Sequence, residues 1–215
     1  MITMLNMDCM EYMQKLPDKA FDLAIVDPPY GIGEKKISRP GKTKRSNGFF
    51  KLYDSNKWVD AIPTKKYFDE LFRVSNNQII WGGNYFTLPP CRGFVFWDKL
   101  NPVPNYSDGE FAWTSFDVPA RRLVYGYTNV INYDSRIHPT QKPVALYKWL
   151  LSRYAKPGQK ILDTHGGSGS ICIACHDLGH DLTWMELDKD YYEAACKRYK
   201  DHASQQFLFD PKGGE

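Results

Sequence analysis

Lys160-Ile161-Leu162-Asp163-Thr164-His165-Gly166-Gly167-Ser168-Gly169 is the stretch on which the fold turns. Ile161 and Leu162 read as a short buried strand, the glycines as a tight turn, and residues 170–178 as the helix that follows. Strand, glycine-rich turn, helix is a nucleotide-binding arrangement: glycine lets a ligand approach the backbone, and the helix N-terminus adds N–H groups and partial positive charge. Just downstream, residues 181–185 read as another strand. Glu186 ends it, nineteen residues after Gly167, where an acid accepts hydrogen bonds from ribose hydroxyls. Upstream, Pro143 suits the first turn of a helix running to about residue 155, which Pro157-Gly158 ends.

The rest of the chain repeats this alternation. Strands are expected at residues 1–5, 21–26, 78–81 and 93–97, and helices at 10–16, 64–73 and 189–202. Tyr67, Phe68, Leu71 and Phe72 form the inner face of the second of these helices. Residues 98–137, with three prolines and many aromatics, read as irregular. The tail from residue 210 reads as frayed. The pattern predicts an α/β fold with a mostly parallel sheet and helices on both faces, as one domain over residues 1–215.

Composition narrows the class. A chain that is 42% hydrophobic and 25% charged is ordinary for a soluble globular protein. No apolar run reaches the eighteen residues of a membrane span, and the N-terminus lacks a basic stretch followed by an apolar core. The five scattered cysteines argue for a reducing, cytoplasmic setting rather than a disulfide framework. A net charge of +3 is too small to diagnose nucleic-acid binding. Met1, Met4, Met7, Met10 and Met13 cross a strand–helix boundary and read as adaptable core filler.

Two cofactors suit the glycine loop. A dinucleotide fingerprint needs G-x-G-x-x-G, but Cys172 occupies the third glycine position, and Asp163 would repel a pyrophosphate. Asp163 does suit a cationic ligand, and S-adenosylmethionine carries a sulfonium and an ammonium. Cys172-x-x-Cys175-His176, with His180 nearby, matches haem and zinc patterns only superficially. These residues read as packing or surface positions, and no metal is expected.

Asp27-Pro28-Pro29-Tyr30 lies at the C-terminal end of a buried strand, where open α/β sheets bind ligands. The prolines lack N–H groups, so the Asp27 carboxylate and the Pro28 carbonyl can both accept hydrogen bonds from an amine. Tyr30 can stack on a planar base. Two acceptors draw an exocyclic amine toward tetrahedral geometry and stabilise its developing positive charge during methylation, without a covalent nucleophile. In His138-Pro139-Thr140-Gln141-Lys142-Pro143, Thr140 or Gln141 can cap the following helix, leaving free N–H groups for a cofactor carboxylate.

Together these motifs resemble the amino-methylating DNA methyltransferases, over residues 1–202. Asp27-Pro28-Pro29-Tyr30 resembles their catalytic motif in its adenine-N6 form. The catalytic motif precedes the glycine loop in the chain, which resembles the permuted beta class. Trp81-Gly82-Gly83-Asn84 and Trp97-Asp98-Lys99 resemble phage and prophage members. The resemblance implies a Rossmann-like, S-adenosylmethionine-dependent methyltransferase fold with circularly permuted motif order. It implies cofactor contacts from Asp8, near the adenine, and from His138, Thr140 and Lys142, near the methionine end. Asp163, Thr164, His165, Gly166, Gly167, Ser168 and Gly169 form the cofactor loop, and Glu186 binds ribose. His165 stands where many members have phenylalanine.

A double-stranded DNA partner is expected. Lys35, Lys36, Arg39, Lys42, Lys44 and Arg45 fall within eleven residues that contain no acid, inside a segment at about 33–57 that leaves the catalytic motif. Such a cluster gives salt-dependent, sequence-independent affinity for phosphates. The target base must be flipped out of the duplex. The short region at about 98–137, with Arg121 and Arg122 among its aromatics, is the candidate for target recognition. The expected reaction is transfer of methyl to the N6 amine of adenine. The alternatives are cytosine N4 on the same fold, RNA as substrate, or a non-catalytic DNA-binding module. Cytosine-C5 chemistry would need a thiolate, and Cys91 has no activating partner in sequence. The resemblance leans toward a homodimer and toward a restriction-modification or phage-borne enzyme.

Overall fold

The computed structural model describes residues 1–31, 61–101, 107–126, 137–138 and 140–205. The expected basic segment, with Lys35 to Arg45, lies outside the described residues. So does much of the expected recognition region, at 102–106 and 127–136.

In chain order the elements are β1 (Ile2–Asn6), α1 (Cys9–Met13), β2 (Phe21–Val26), α2 (Lys65–Val74), β3 (Ser75–Trp81), a 3₁₀ turn (Gly83–Tyr85), β4 (Phe94–Asp98), β5 (Gly109–Thr114) and β6 (Arg121–Val124). They continue with α3 (Val144–Tyr154), β7 (Lys160–Asp163), α4 (Ser170–Leu178), β8 (Asp181–Glu186) and α5 (Lys189–Ala203). The strands form one sheet in the order β1-β8-β7-β2-β3-β5-β4-β6. Every strand runs the same way except β5, which is antiparallel to both its neighbours.

Two apolar clusters cover the two faces of this sheet. Leu146, Leu150 and Leu151 of α3, Ile171, Cys172 and Cys175 of α4, and Ala195 of α5 pack with Ile25, Ile161 and Trp184 on one face. Met13 of α1 and Tyr67, Phe68, Leu71 and Val74 of α2 pack with Val26, Ile80 and Leu162 on the other. Each such aliphatic side chain, fully buried, contributes about 1.5–3 kcal/mol. Strands covered on both faces read as continuous apolar runs, which is why β2 and β7 were recognisable. Met4, Met7 and Met10 pack against these clusters, whereas Met1 is exposed.

The order of the sheet locates the ligand crevice. From β7 the chain crosses through α4 to β8, toward β1; from β2 it crosses through α2 to β3, in the opposite direction. The strand order therefore reverses between β7 and β2. At such a point the flanking helices diverge to opposite faces and leave a cleft beyond the C-terminal strand ends. Asp163 ends β7, and Asp27 follows β2 directly.

Two strands depart from the sequence expectation. Residues 98–137 are not wholly irregular: β5 inserts between β3 and β4, and β6 pairs with β4. Ala112, Trp113 and Thr114 are buried in succession, so β5 has no alternating signature. β6 is a largely exposed strand of four residues beginning with two arginines, a composition that does not announce a strand.

Candidate active site

β2 delivers Asp27-Pro28-Pro29-Tyr30 into the switch-point cleft. The Tyr30 hydroxyl donates to Asp27 Oδ1 at 2.6 Å. One face of the Tyr30 ring rests on Gly82, whose φ is +68°. A Cβ there would sit 2.2 Å from Tyr30 Cε1, so the backbone itself is the floor beneath the ring. Tyr85 stacks on Tyr30, with ring centroids 5.1 Å apart and planes 16° from parallel. Gly82 thus supports the Tyr30 ring, while Asn84 is exposed.

Lys142, expected near the methionine end of the cofactor, is paired with two carboxylates. Its ammonium donates to Asp27 Oδ2 and lies 3.0 Å from Glu110 Oε2. Glu110, on β5, binds Lys99 through its other oxygen at 2.6 Å. Asp27 and Glu110 are half-buried, and the buried Lys142 ammonium between them requires their charges as counter-ions. Burial pushes the Asp27 carboxyl upward, against the pull of Lys142. Burial would also raise Glu110, but Lys142 and Lys99 together hold it down at about 2. Burial opposes the Lys142 charge, yet Asp27 and Glu110 keep its ammonium above the ordinary range. No local motif marks Glu110, and Trp97-Asp98-Lys99 carries no sequence signal for the role of Lys99 as its partner.

The glycine loop follows β7. Asp163 is buried and accepts from the His165 N–H at 3.1 Å. Burial raises its carboxyl to about 8, the His165 hydrogen bond opposing and the charges of Asp27 and Glu186 reinforcing the rise. Gly166 donates to the Met185 carbonyl at 2.8 Å, pinning the loop to β8. A Cβ on Gly166 would fall 1.8 Å from the Trp184 ring. Glu186 accepts from the Gly167 N–H at 2.8 Å and from the Asp188 N–H at 2.9 Å, one oxygen to each. A carboxylate has further lone pairs, so ribose hydroxyls could still be accepted. Burial raises its carboxyl despite those bonds. Arg198 of α5 donates to the Ser168 carbonyl at 2.8 Å, another contact without a sequence signal.

His138 closes the cleft from the other side, its ring 3.4 Å from where a Gly167 Cβ would be. Tyr191 packs on it at 4.5 Å. Burial lowers His138 to about 4, so its ring is neutral near pH 7 and Nδ1 accepts from the Thr140 N–H at 3.3 Å. Burial likewise lowers His165 to about 4.

The other expected contact residues make the following bonds within the chain. The Ser168 hydroxyl bonds the Ser170 hydroxyl at 3.1 Å. The Thr164 hydroxyl bonds the Tyr67 hydroxyl at 2.7 Å. Asp8 Oδ1 caps α1, accepting from the Met10 and Glu11 N–H groups. Neither Thr140 nor Gln141 caps α3: Pro143 is the N-cap residue, and Gln141 Oε1 accepts from the Ile137 N–H at 3.2 Å. The α3 N-terminus consequently has no side-chain cap. Cys172 and Cys175 are core residues of α4, and His176 faces Tyr199.

Arg122 donates to Asp98 from the exposed surface of β6. Arg121 begins β6, which runs parallel to β4 and β3, so it lies toward the sheet edge opposite Asp27. It lines a shallow groove there with Arg153 and Lys156. That position does not adjoin the cleft, because the strand direction carries the first residue of β6 away from it.

Residues 95–197 match the family model N6_N4_Mtase, described as DNA methylase. Type II methyltransferase M.HinfI of Haemophilus influenzae is 25% identical, covering 93% of this chain and 68% of its own. Type II methyltransferase M2.DpnII of Streptococcus pneumoniae is 23% identical, covering 91% and 88%. The solved structure of M1.HpyAVI in complex with S-adenosylmethionine superposes with a TM-score of 0.59 at 22% identity, covering 92% of this chain and 100% of that one. The cytosine-N4-specific PvuII DNA methyltransferase gives 0.57 at 12% identity, covering 94% and 90%. The chain therefore has the α/β fold of the S-adenosylmethionine-dependent DNA methyltransferases, its largely parallel sheet flanked by helices on both faces.

Proposed function

We propose that the protein transfers a methyl group from S-adenosylmethionine to an exocyclic amino group of a base in DNA, with the N6 amine of adenine as the target. The observation that carries this reading is the pairing of two carboxylates across one switch point. Asp163 sits behind the glycine loop and Asp27 sits in Asp27-Pro28-Pro29-Tyr30, close enough for their charges to interact. The likeness to type II DNA methyltransferases supports the coarser reading, amino-group methylation of DNA. Asp at position 27 supports adenine through the family resemblance. Cytosine N4 is the second reading, favoured by the fold shared with the cytosine-N4-specific PvuII enzyme.

The residues present fit this cofactor. Asp163 is a buried carboxylate suited to a cation, Gly166 and Gly167 bring bare backbone to the cleft, and Glu186 keeps acceptor capacity. When bound, S-adenosylmethionine supplies an electrophilic methyl on a cationic sulfur. Asp27 and the Pro28 carbonyl accept the amine hydrogens and stabilise the charge that develops on nitrogen. Tyr30 fixes the Asp27 carboxylate through its hydroxyl. The basic segment at 33–57 would hold phosphates beside the flipped base, a few kcal/mol being needed for flipping. A homodimer and a restriction-modification or phage setting belong to the same reading.

The deciding experiment incubates the protein with labelled S-adenosylmethionine and unmethylated genomic DNA, followed by nucleoside mass spectrometry. N6-methyladenine is expected. N4-methylcytosine would replace the base assignment, and methylation of RNA alone would replace the substrate.

Asp163 makes cofactor binding pH-dependent. Its carboxyl is neutral in the ligand-free fold up to about pH 8. A cationic ligand favours the ionised form, so binding expels a proton and tightens as pH rises from 6 toward 8. Without ligand the same shift has the opposite consequence for stability. The unfolded chain gives up this proton in the ordinary carboxylate range, so stability falls with rising pH until about 8. Calorimetric titrations at pH 7 in buffers of different ionisation enthalpy should register release of up to one proton. Asp163→Asn should abolish that release; persistence of it would assign the proton elsewhere.

A further inference from the structure

The carboxylate proposed to receive the target amine already carries a cation. Lys142 reaches Asp27 from the segment before α3, is 3% exposed, and also lies 5.2 Å from the centroid of the Trp81 ring. An acceptor shared with an ammonium is a weaker acceptor for an amine. It also stabilises less of the positive charge that methylation builds on nitrogen. Stripping the cation from Asp27 into an apolar cleft would be strongly unfavourable unless a second anion stood within reach. Glu110 Oε2 is that anion, 3.0 Å from the same nitrogen. Lys99 grips the opposite oxygen of Glu110, so the acceptor is held in place. The four groups form a chain of alternating charge, Lys99–Glu110–Lys142–Asp27, with the Tyr30 hydroxyl beside it, 3.4 Å from Lys142.

Resting on the methyltransferase reading, we propose that Glu110 is a positioning residue: it takes up the Lys142 ammonium when the target amine occupies Asp27, so that Asp27 meets the reacting nitrogen as a full carboxylate. Lys99 keeps Glu110 from following the ammonium toward Asp27. Among the described residues, the other titratable groups around Lys142 are Tyr30, which lies within hydrogen-bond reach, and His138, Tyr147 and Asp163, which interact with the ion-pair chain electrostatically. His138 is neutral near pH 7, and burial holds the Tyr147 hydroxyl well above its ordinary range. Neither supplies a competing anion.

The test is a double-mutant cycle on methyl transfer to DNA, with E110Q, K142M and the double variant, read as kcat, KM for DNA and pH profile. In E110Q, Asp27 is the one carboxylate left in contact with the ammonium among the described residues. Turnover at pH 7 should fall about 10- to 100-fold, the worth of one charged hydrogen bond. It should recover as pH rises and Lys142 loses a proton that Glu110 no longer helps to hold. In the K142M background the same substitution should have little further effect, because Glu110 acts through Lys142. Equal losses in both backgrounds with an unchanged pH profile would overturn the proposal. Should E110Q lose cofactor binding, indicating a disrupted fold, K99M serves in its place: a smaller loss with the same alkaline recovery is expected, and a pH-independent loss overturns the idea. Absence of methyl transfer by the unsubstituted protein would instead overturn the reading of the site.

Discussion

Asp27→Ala is expected to lower methyl transfer at least about 10²- to 10³-fold, the usual effect of deleting one preorganised group that meets developing charge. Cofactor affinity should be nearly unchanged, because Asp163 and Glu186 end other strands and Gly166 lies in the loop after β7. Removing one partner of a buried ion pair commonly costs about 3–5 kcal/mol, since an uncompensated charge remains. Here the orphaned ammonium keeps Glu110 at 3.0 Å, so the variant should fold. Asp27→Asn should fail similarly, as the amide withdraws the negative charge while keeping the shape. Cofactor titration and single-turnover methylation of both variants check this. Turnover within tenfold of the parent would remove Asp27 from the chemistry and leave Asp27-Pro28-Pro29-Tyr30 as a structural turn.

The second large effect is expected at Gly166→Ala. The added methyl would lie 1.8 Å from Trp184 Nε1 and Cε2. Trp184 is wholly buried and has Tyr192 stacked on it, with ring centroids 6.1 Å apart. The loop cannot rise without giving up the Gly166 hydrogen bond to Met185, and the indole cannot move without opening the core. Overpacking of this kind costs about 1–3 kcal/mol or more. A melting temperature lower by roughly 2–10 °C follows for a chain of this size. Cofactor binding should be lost as well, because the displaced backbone is the cleft wall. Trp184→Leu provides the control. Alone it leaves a cavity and destabilises, but in the Gly166→Ala background it should partly restore both melting temperature and binding. Contacting residues couple by about 0.5–3 kcal/mol in such cycles. Additive losses would place the clash elsewhere.

Much of this arrangement was legible because it is local. β2 and β7 are apolar runs ended by an acid and a turn, and the glycine loop carries its own punctuation. The strand, the turn and the helix that follow one another there could thus be read from one decapeptide. What could not be read is made by long-range electrostatics. Lys142 and Asp27 are 115 residues apart in the chain, and nothing around Lys142 says that its stem is buried rather than solvated. Glu110 depends on β5, and β5 hides because its buried residues are consecutive instead of alternating. Ser168 and Thr164 sit in the expected loop, but their hydroxyls found nearer partners in Ser170 and Tyr67. Spacing locates a loop in the cleft; it does not say which way each side chain within it turns.

β6 ends the sheet and, among the described residues, pairs only with β4. Its free side presents a row of backbone donors and acceptors that a second chain could match. Arg121 and Arg122, both exposed, place two positive charges along that border. Charge on an edge strand is a common safeguard against strand-to-strand aggregation. Substituting these arginines to probe DNA contact therefore also removes a barrier to self-association. A loss of DNA affinity in such variants can be assigned to phosphate contact only if their particle size in solution has not changed.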